Sequence, residues 1–259
     1  MKFHHIEIHD GVATITLDRP ELHNAFNEEL ISELTQTFKG IGSGVRVVVL
    51  KGEGKSFCAG ADLNWMKKMV DYSKEENIAD AQELANLFKA IDNCPAPVVG
   101  VAHGAVLGGG AGLIAVCDYV LAAEDTVFGF TEARLGLVPA VISPFVMAKI
   151  GVSAARATFM SGRRFKAAEA LRIGLVHQVC NPAMLSAELD NITSEFKKAG
   201  PQAAREAKQL IKGVLERAHN KVEQINFTCE TIAKLRASEE GQEGMGALLE
   251  KRRPQWIKS

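Results

Sequence analysis

The chain opens with two segments in which apolar and polar residues alternate, Phe3 to His9 and Val12 to Leu17, separated by Asp10-Gly11. Alternation on both sides of a turn dipeptide predicts a β-hairpin. Beyond Asp18-Arg19-Pro20 the period lengthens: Leu30, Ile31, Leu34 and Phe38 share one helical face and predict a helix over Glu29–Phe38. Val45 to Leu50 reads as a third strand and leads into a loop carrying Gly52, Gly54 and Gly60. Ser73 and Glu76 have capping-box spacing, and Ile78, Ala81, Leu84, Leu87, Phe88 and Ile91 then repeat at helical intervals as far as Cys94-Pro95-Ala96-Pro97. Val98 to Ala102 reads as a buried strand that runs into Gly104 and Gly108-Gly109-Gly110, with a short apolar helix over Ala111–Val116 and a strand over Cys117–Ala122 beyond. Strand, helix, strand in this order suits right-handed parallel crossovers.

Past Gly151 the sequence turns to Ala, Lys, Glu and Arg at helical period, and Leu175 to Val179 is the one segment there that reads as a strand. Asn181-Pro182 supplies a break. The expected organisation is an α/β core over residues 1–180 and a helical C-terminal region over 181–259. At 259 residues and 47% hydrophobic content the chain can bury a sizeable core, which excludes disorder as a description of the whole. Thirty basic and 31 acidic side chains leave a formal charge of −1, so no general field holds nucleic acid or an anionic membrane. The five cysteines are scattered, with no Cys-x-x-Cys, which points to a reducing compartment such as the cytoplasm rather than to disulfides or zinc. The polar segment Met1 to His9 does not read as a signal peptide, and no apolar run reaches the ~18 residues of a membrane span.

The chemistry is concentrated in three loops. Glycines between a buried strand and an apolar helix, as at Gly108-Gly109-Gly110, let backbone N–H groups approach a ligand where the helix dipole favours negative charge; tight strand-to-helix packing is the alternative reason for them. No Lys-Ser/Thr follows, so this is no P-loop, and Leu113 breaks the Gly-x-Gly-x-x-Gly pattern. A second loop, Ser56 to Leu63, also follows a buried strand, and two such loops can supply the paired donors of an oxyanion hole. In the third, Phe128-Gly129-Phe130-Thr131-Glu132, one carboxylate sits among apolar residues, where desolvation moves a carboxyl toward general acid–base use; an ion pair with Arg134 is the alternative.

Phe57-Cys58-Ala59-Gly60-Ala61-Asp62-Leu63, Gly104 to Gly110 with Cys117-Asp118, and Phe128 to Glu132 with Leu135-Gly136-Leu137-Val138-Pro139 together resemble the enoyl-CoA hydratase/isomerase (crotonase) family in order and separation. The likeness runs from the first strands to Leu249 through Trp256. Ala61 to Met66 and Ala140 to Val146 are further similar to bacterial methylglutaconyl-CoA and carboxygeranoyl-CoA hydratases. The resemblance implies an α/β spiral of ββα units with a helical C-terminal region that assembles trimers or dimers of trimers. It implies an acyl-CoA substrate, with coenzyme A entering as part of that substrate and no separate cofactor or metal.

By the same resemblance the thioester oxygen is held by the backbone amides of Ala61 and Gly109. Coenzyme A lies along Asn24, Ala25, Cys58, Ala59 and Leu63, with Lys251 and Arg252 as candidate phosphate contacts. Glu132 corresponds to one of the two carboxylates of the family's hydratases, whereas the position of the other is Gly112. The expected activity is hydration of a branched or carboxylated 2-enoyl-CoA by a single acid–base Glu, with Gly112 leaving room beside the acyl chain. Double-bond isomerisation is the alternative within the family, and a non-catalytic CoA- or RNA-binding protein the alternative outside it. For RNA binding only the short runs Lys67-Lys68, Arg163-Arg164 and Lys251-Arg252-Arg253 offer basic surface.

Overall fold

The computed structural model describes residues 1–257, so 258 and 259 of the expected helical region lie outside it. The hairpin forms as the alternation requires: β1 (His4–His9) pairs antiparallel with β2 (Val12–Leu17), and His9 opposite Val12 leaves Asp10-Gly11 as a two-residue turn. Both turn residues have positive φ, 45° and 75°, the geometry that favours Asp-Gly at this site. α1 (Glu28–Lys39) is capped by Asn27, whose side chain accepts from Leu30 N–H at 2.9 Å, and it buries Leu30, Ile31, Leu34 and Phe38.

β3 (Val47–Gly52) pairs parallel with β2, and β4 (Val98–Ala102) continues the sheet beside it. β6 (Tyr119–Ala123) and β9 (Gln178–Cys180) complete the order β1-β2-β3-β4-β6-β9. Alternation across the parallel strands puts Val48, Leu50, Val98 and Val120 toward the main core. Val47, Val99 and Leu121 face the other way, onto Ile192 of α7 (Leu185–Lys198). The first helix after the Asn181-Pro182 break therefore covers the second face of the sheet. α8 (Pro201–Glu216), α9 (Lys221–Arg236) and α10 (Glu239–Leu249) follow.

Four elements were not anticipated. α2 (Leu63–Met69) is one short helix capped by Asp62, which lies inside the expected loop. β5 (Ala105–Leu107), β7 (Val127–Gly129) and β8 (Arg164–Lys166) form a separate small sheet, each strand too short to print a period of its own. α4 (Gly109–Ala115) begins two residues earlier than expected, inside the glycine run. Leu175 and Val176, read as strand, instead close a turn onto the Ala170 carbonyl below α6 (Ala167–Arg172), and pairing starts at Gln178. α3 (Lys74–Asp92) carries the anticipated capping box, and α5 (Ser143–Phe159) breaks at Gly151. Among the described residues no helix is long and apolar enough to cross a membrane.

Candidate active site

The three chemistry-bearing loops leave the carboxyl ends of β3, β5 and β7, where α/β folds place ligands. Residues 56–62 are stitched on both sides. Cys58 bridges to Val106 of β5, through Cys58 N–H to the Ala105 carbonyl at 3.1 Å and Leu107 N–H to the Cys58 carbonyl at 3.0 Å. Ala61 bridges to Phe26, but that bridge uses the neighbours of Ala61: Phe26 N–H donates to Gly60 at 2.8 Å, and Asp62 N–H donates to Phe26 at 2.8 Å. The Ala61 N–H is left without an acceptor among the described residues.

Opposite it, Gly108 N–H is spent on the Gly129 carbonyl at 2.9 Å, while Gly109 N–H, at the first position of α4, has no partner among the described residues. The glycines are steric requirements. A Cβ on Gly110 would stand 2.3 Å from the Cys58 carbonyl oxygen, and one on Gly109 would stand 2.7 Å from the Phe26 ring. Both packing and amide exposure thus operate at this run, rather than one or the other.

Glu132 sits in a 3-10 turn beyond β7. Its Oε1 lies 3.4 Å from where a Gly108 Cβ would be, and its Oε2 is buried with no hydrogen-bond partner. Burial pushes the carboxyl above its ordinary value, offset in part by a backbone hydrogen bond. Among the described residues no cation lies within ion-pair distance of Glu132, and Arg134 packs toward Gly162 instead.

Ala59, Ala61, Leu63, Gly109 and Glu132 all line one apolar cleft of about 500 Å³. The other expected contacts stand behind its wall. Asn24 is fully buried; its side chain donates to the carbonyls of Glu53 and Ser56 at 2.9 and 2.8 Å and accepts from Arg19 N–H at 2.8 Å, so it braces the loops. Ala25 gives its carbonyl to Arg19. The Cys58 thiol is sealed in the interior, its ionisation pushed up to about 12 by burial. Lys251 is exposed on the turn after α10 and does not line the cleft.

Gly112 requires a correction. A Cβ there would meet Ile142 Cγ2 at 2.4 Å and Phe88 Cζ at 2.9 Å, so neighbouring side chains already stand where the first atom of any side chain would go.

Sequence reasoning missed Trp65, Asp80 and Arg164, all in the cleft wall. Asp80 had a signal, since it falls on the Leu84, Leu87 and Ile91 face of α3, an acid within an apolar stripe. Its Oδ1 accepts from the Trp65 indole N–H at 3.0 Å. Arg164 is paired backbone to backbone with Gly129, and its guanidinium has no partner among the described residues. The short basic runs are largely compensated: Lys68 pairs with Glu28, Arg163 with Glu169, and Arg252 with Glu243 and Glu250.

The sequence model of the enoyl-CoA hydratase/isomerase family matches residues 7–259. An enoyl-CoA hydratase of Shewanella pealeana has a crystal structure similar to this chain at a TM-score of 0.94 and 39% identity, covering 98% of this chain and 96% of that one. The enoyl-CoA hydratase AKT6-1 of Alternaria alternata is 36% identical over 205 residues, 78% of this chain and 67% of its own length. The trans-2-decenoyl-[acyl-carrier-protein] isomerase of Streptococcus mutans is 28% identical over 253 residues, 96% and 95% of the two chains. With the fold, the paired amides and the buried carboxylate, these matches establish that the chain belongs to the enoyl-CoA hydratase/isomerase family and has the crotonase fold.

Proposed function

We propose that the protein hydrates a 2-enoyl-CoA, with the amides of Ala61 and Gly109 holding the thioester oxygen and Glu132 carrying the protons. The observation that bears most weight is Glu132, whose Oε2 is buried without a hydrogen-bond partner, in the same cleft as two amides that have none among the described residues. Ionised Glu132 takes a proton from water as its oxygen adds to the β-carbon, and the electron pair of the double bond moves into an enolate. Protonated Glu132 then returns that proton to the α-carbon, leaving a 3-hydroxyacyl thioester and a carboxylate ready for another cycle. A carboxyl raised above its ordinary value holds a proton more readily, which suits a group that must both accept and donate. Each amide contributes roughly 3–4 kcal/mol where comparable donors stabilise an oxyanion.

The chain's site contributes Ala59 and Leu63 as coenzyme A contacts, and Lys251 serves the phosphates of a neighbouring subunit's ligand. For the acyl group we favour a carboxylated chain, because Arg164 brings to the cleft a cation that has no ion-pair partner among the described residues. The branched reading loses the support of Gly112, whose space is taken. Isomerisation by the same Glu132, moving a proton between carbons through the same enolate, is the second reading; the single acid–base carboxylate and the likeness to the streptococcal isomerase favour it.

The test is a panel of 2-enoyl and 3-enoyl thioesters, with and without a terminal carboxylate, followed by the conjugated chromophore. Hydration removes the chromophore, and isomerisation of the 3-enoyl series creates it. Glu132→Gln should slow the chemical step by ~10²–10⁴ while acyl-CoA binding survives. Arg164→Gln should raise KM for carboxylated chains alone.

A further inference from the structure

Arg19 and Asp62 are each 6% exposed, in a chain whose charged groups otherwise lie mostly at the surface. Arg19 Nη2 donates to Asp62 Oδ2 at 2.7 Å. Burial of both charges in this way returns little net stability, and replacement by uncharged side chains is often neutral or better. A reason other than stability is therefore wanted, and the contacts of the pair supply one.

Asp62 directly follows Ala61. One of its carboxylate oxygens accepts from Asn64 N–H at 2.8 Å and caps α2, the other takes Arg19, and its N–H donates to the Phe26 carbonyl. Arg19 uses the other arm of its fork, Nη1, on the Ala25 carbonyl, and leaves Nε buried and unpaired. One guanidinium thus spans the two segments whose bridge, Phe26 to Ala61, uses the groups on either side of the Ala61 N–H and turns that N–H away from Phe26. Gly60 is held through its carbonyl and Asp62 through both N–H and side chain, so Ala61 has little freedom to rotate its amide. Burial alone would raise the Asp62 carboxyl; its bonds to Asn64 N–H and Arg19 outweigh that and keep it ionised.

We propose that the Arg19–Asp62 ion pair is the positioning device of the oxyanion hole, fixing the direction of the Ala61 N–H without itself touching substrate. This rests on the oxyanion assignment made above. Misplacement of a catalytic donor by about 1 Å costs on the order of 100-fold in rate, so a loosened clamp should act on kcat rather than on KM.

The variants are Arg19→Lys, which keeps charge but cannot reach both Ala25 and Asp62, and Arg19→Met/Asp62→Asn. The double variant retains an Asn cap on α2 and buries no orphaned charge. Each is measured as the full chain for thermal midpoint, for kcat and KM on the thioester the panel identifies, and for the red shift of a bound chromophoric enoyl thioester. That shift reports polarisation of the thioester carbonyl and needs no turnover.

In the folded double variant we expect kcat down by ~30–100-fold, KM within about threefold, and a diminished red shift, with Arg19→Lys intermediate. A folded double variant with parental kcat and red shift overturns the proposal, as does a loss of kcat with the red shift intact. Ala61→Pro, which deletes the donor, separates the two levels. If it leaves the red shift and kcat unchanged, the oxyanion reading itself is wrong and the proposal falls with it; if it abolishes both while the double variant is parental, only the clamp is wrong.

Discussion

Among the described residues no cation pairs with Glu132, and burial outweighs its backbone hydrogen bond in setting its titration. The sign follows. A carboxyl raised above its ordinary value of 4.5 favours the protonated form in the folded chain, so ionising it costs stability. The cost is absent below the ordinary value and complete above the raised one. Glu132→Gln should therefore melt above the parent at pH 7, with the gain vanishing as pH falls to about 4. Parental kcat/KM should climb with pH through the raised value, since the base must be ionised. At Gly112 the expectation is the reverse of an enlarged pocket: Gly112→Ala pushes against Ile142 and Phe88 and should cost ~1–3 kcal/mol. Gly112→Glu should cost more, seen as a lowered urea midpoint, and should rescue no straight-chain hydration.

At the scale of elements, the ones legible in sequence carry their own punctuation. Asp10-Gly11 fixes the hairpin register, Ser73 and Glu76 start α3 through reciprocal bonds of 3.2 and 2.7 Å, and Cys94-Pro95 stops it. β5, β7 and β8 have no such marks, because three-residue strands exist only through partners distant in sequence, such as Phe128 opposite Phe165. The tail after α10 is held by the Trp256 indole N–H donating to the Lys198 carbonyl at 3.1 Å and by a surface cluster around Glu243. Glu243 accepts from Arg252 at 2.6 and 2.8 Å and from Gln255 N–H at 2.9 Å, and these bonds hold its carboxyl down at about 2. A depressed carboxyl stabilises above its ordinary value and loses that contribution as pH falls through about 2. Glu243→Gln should release the tail at neutral pH, read as faster hydrogen exchange at the Gln255 amide.

For the whole molecule, the C-terminal helices leave apolar side chains uncovered. Ile211, Leu215, Ile225 and Ile232 are about half or more exposed, and Leu248 and Leu249 reach 79% and 83%. Exposed apolar side chains on three successive helices are what a self-association surface would use. We expect trimers or dimers of trimers, and sedimentation at micromolar concentration checks it; a monomer would also remove Lys251 as a contact to a neighbour's ligand. Leu215→Glu placed in that surface should shift the population to smaller species while leaving the protomer folded.

What the sequence determined by itself were the pieces whose causes are local: the hairpin, α1, α3, the two amide loops and a carboxylate in apolar company. Backbone propensity, capping and hydrophobic period act over a few residues, so they can be read along the chain. What only the tertiary structure decided were relations between distant segments. Arg19 meets Asp62 across 43 positions, Asp80 meets Trp65 from another helix, and Ile142 and Phe88 close over Gly112. The empty space beside a glycine is set by whichever side chains the fold brings to it. So the glycine at the second glutamate's position was legible, while the side chains packed against it were not.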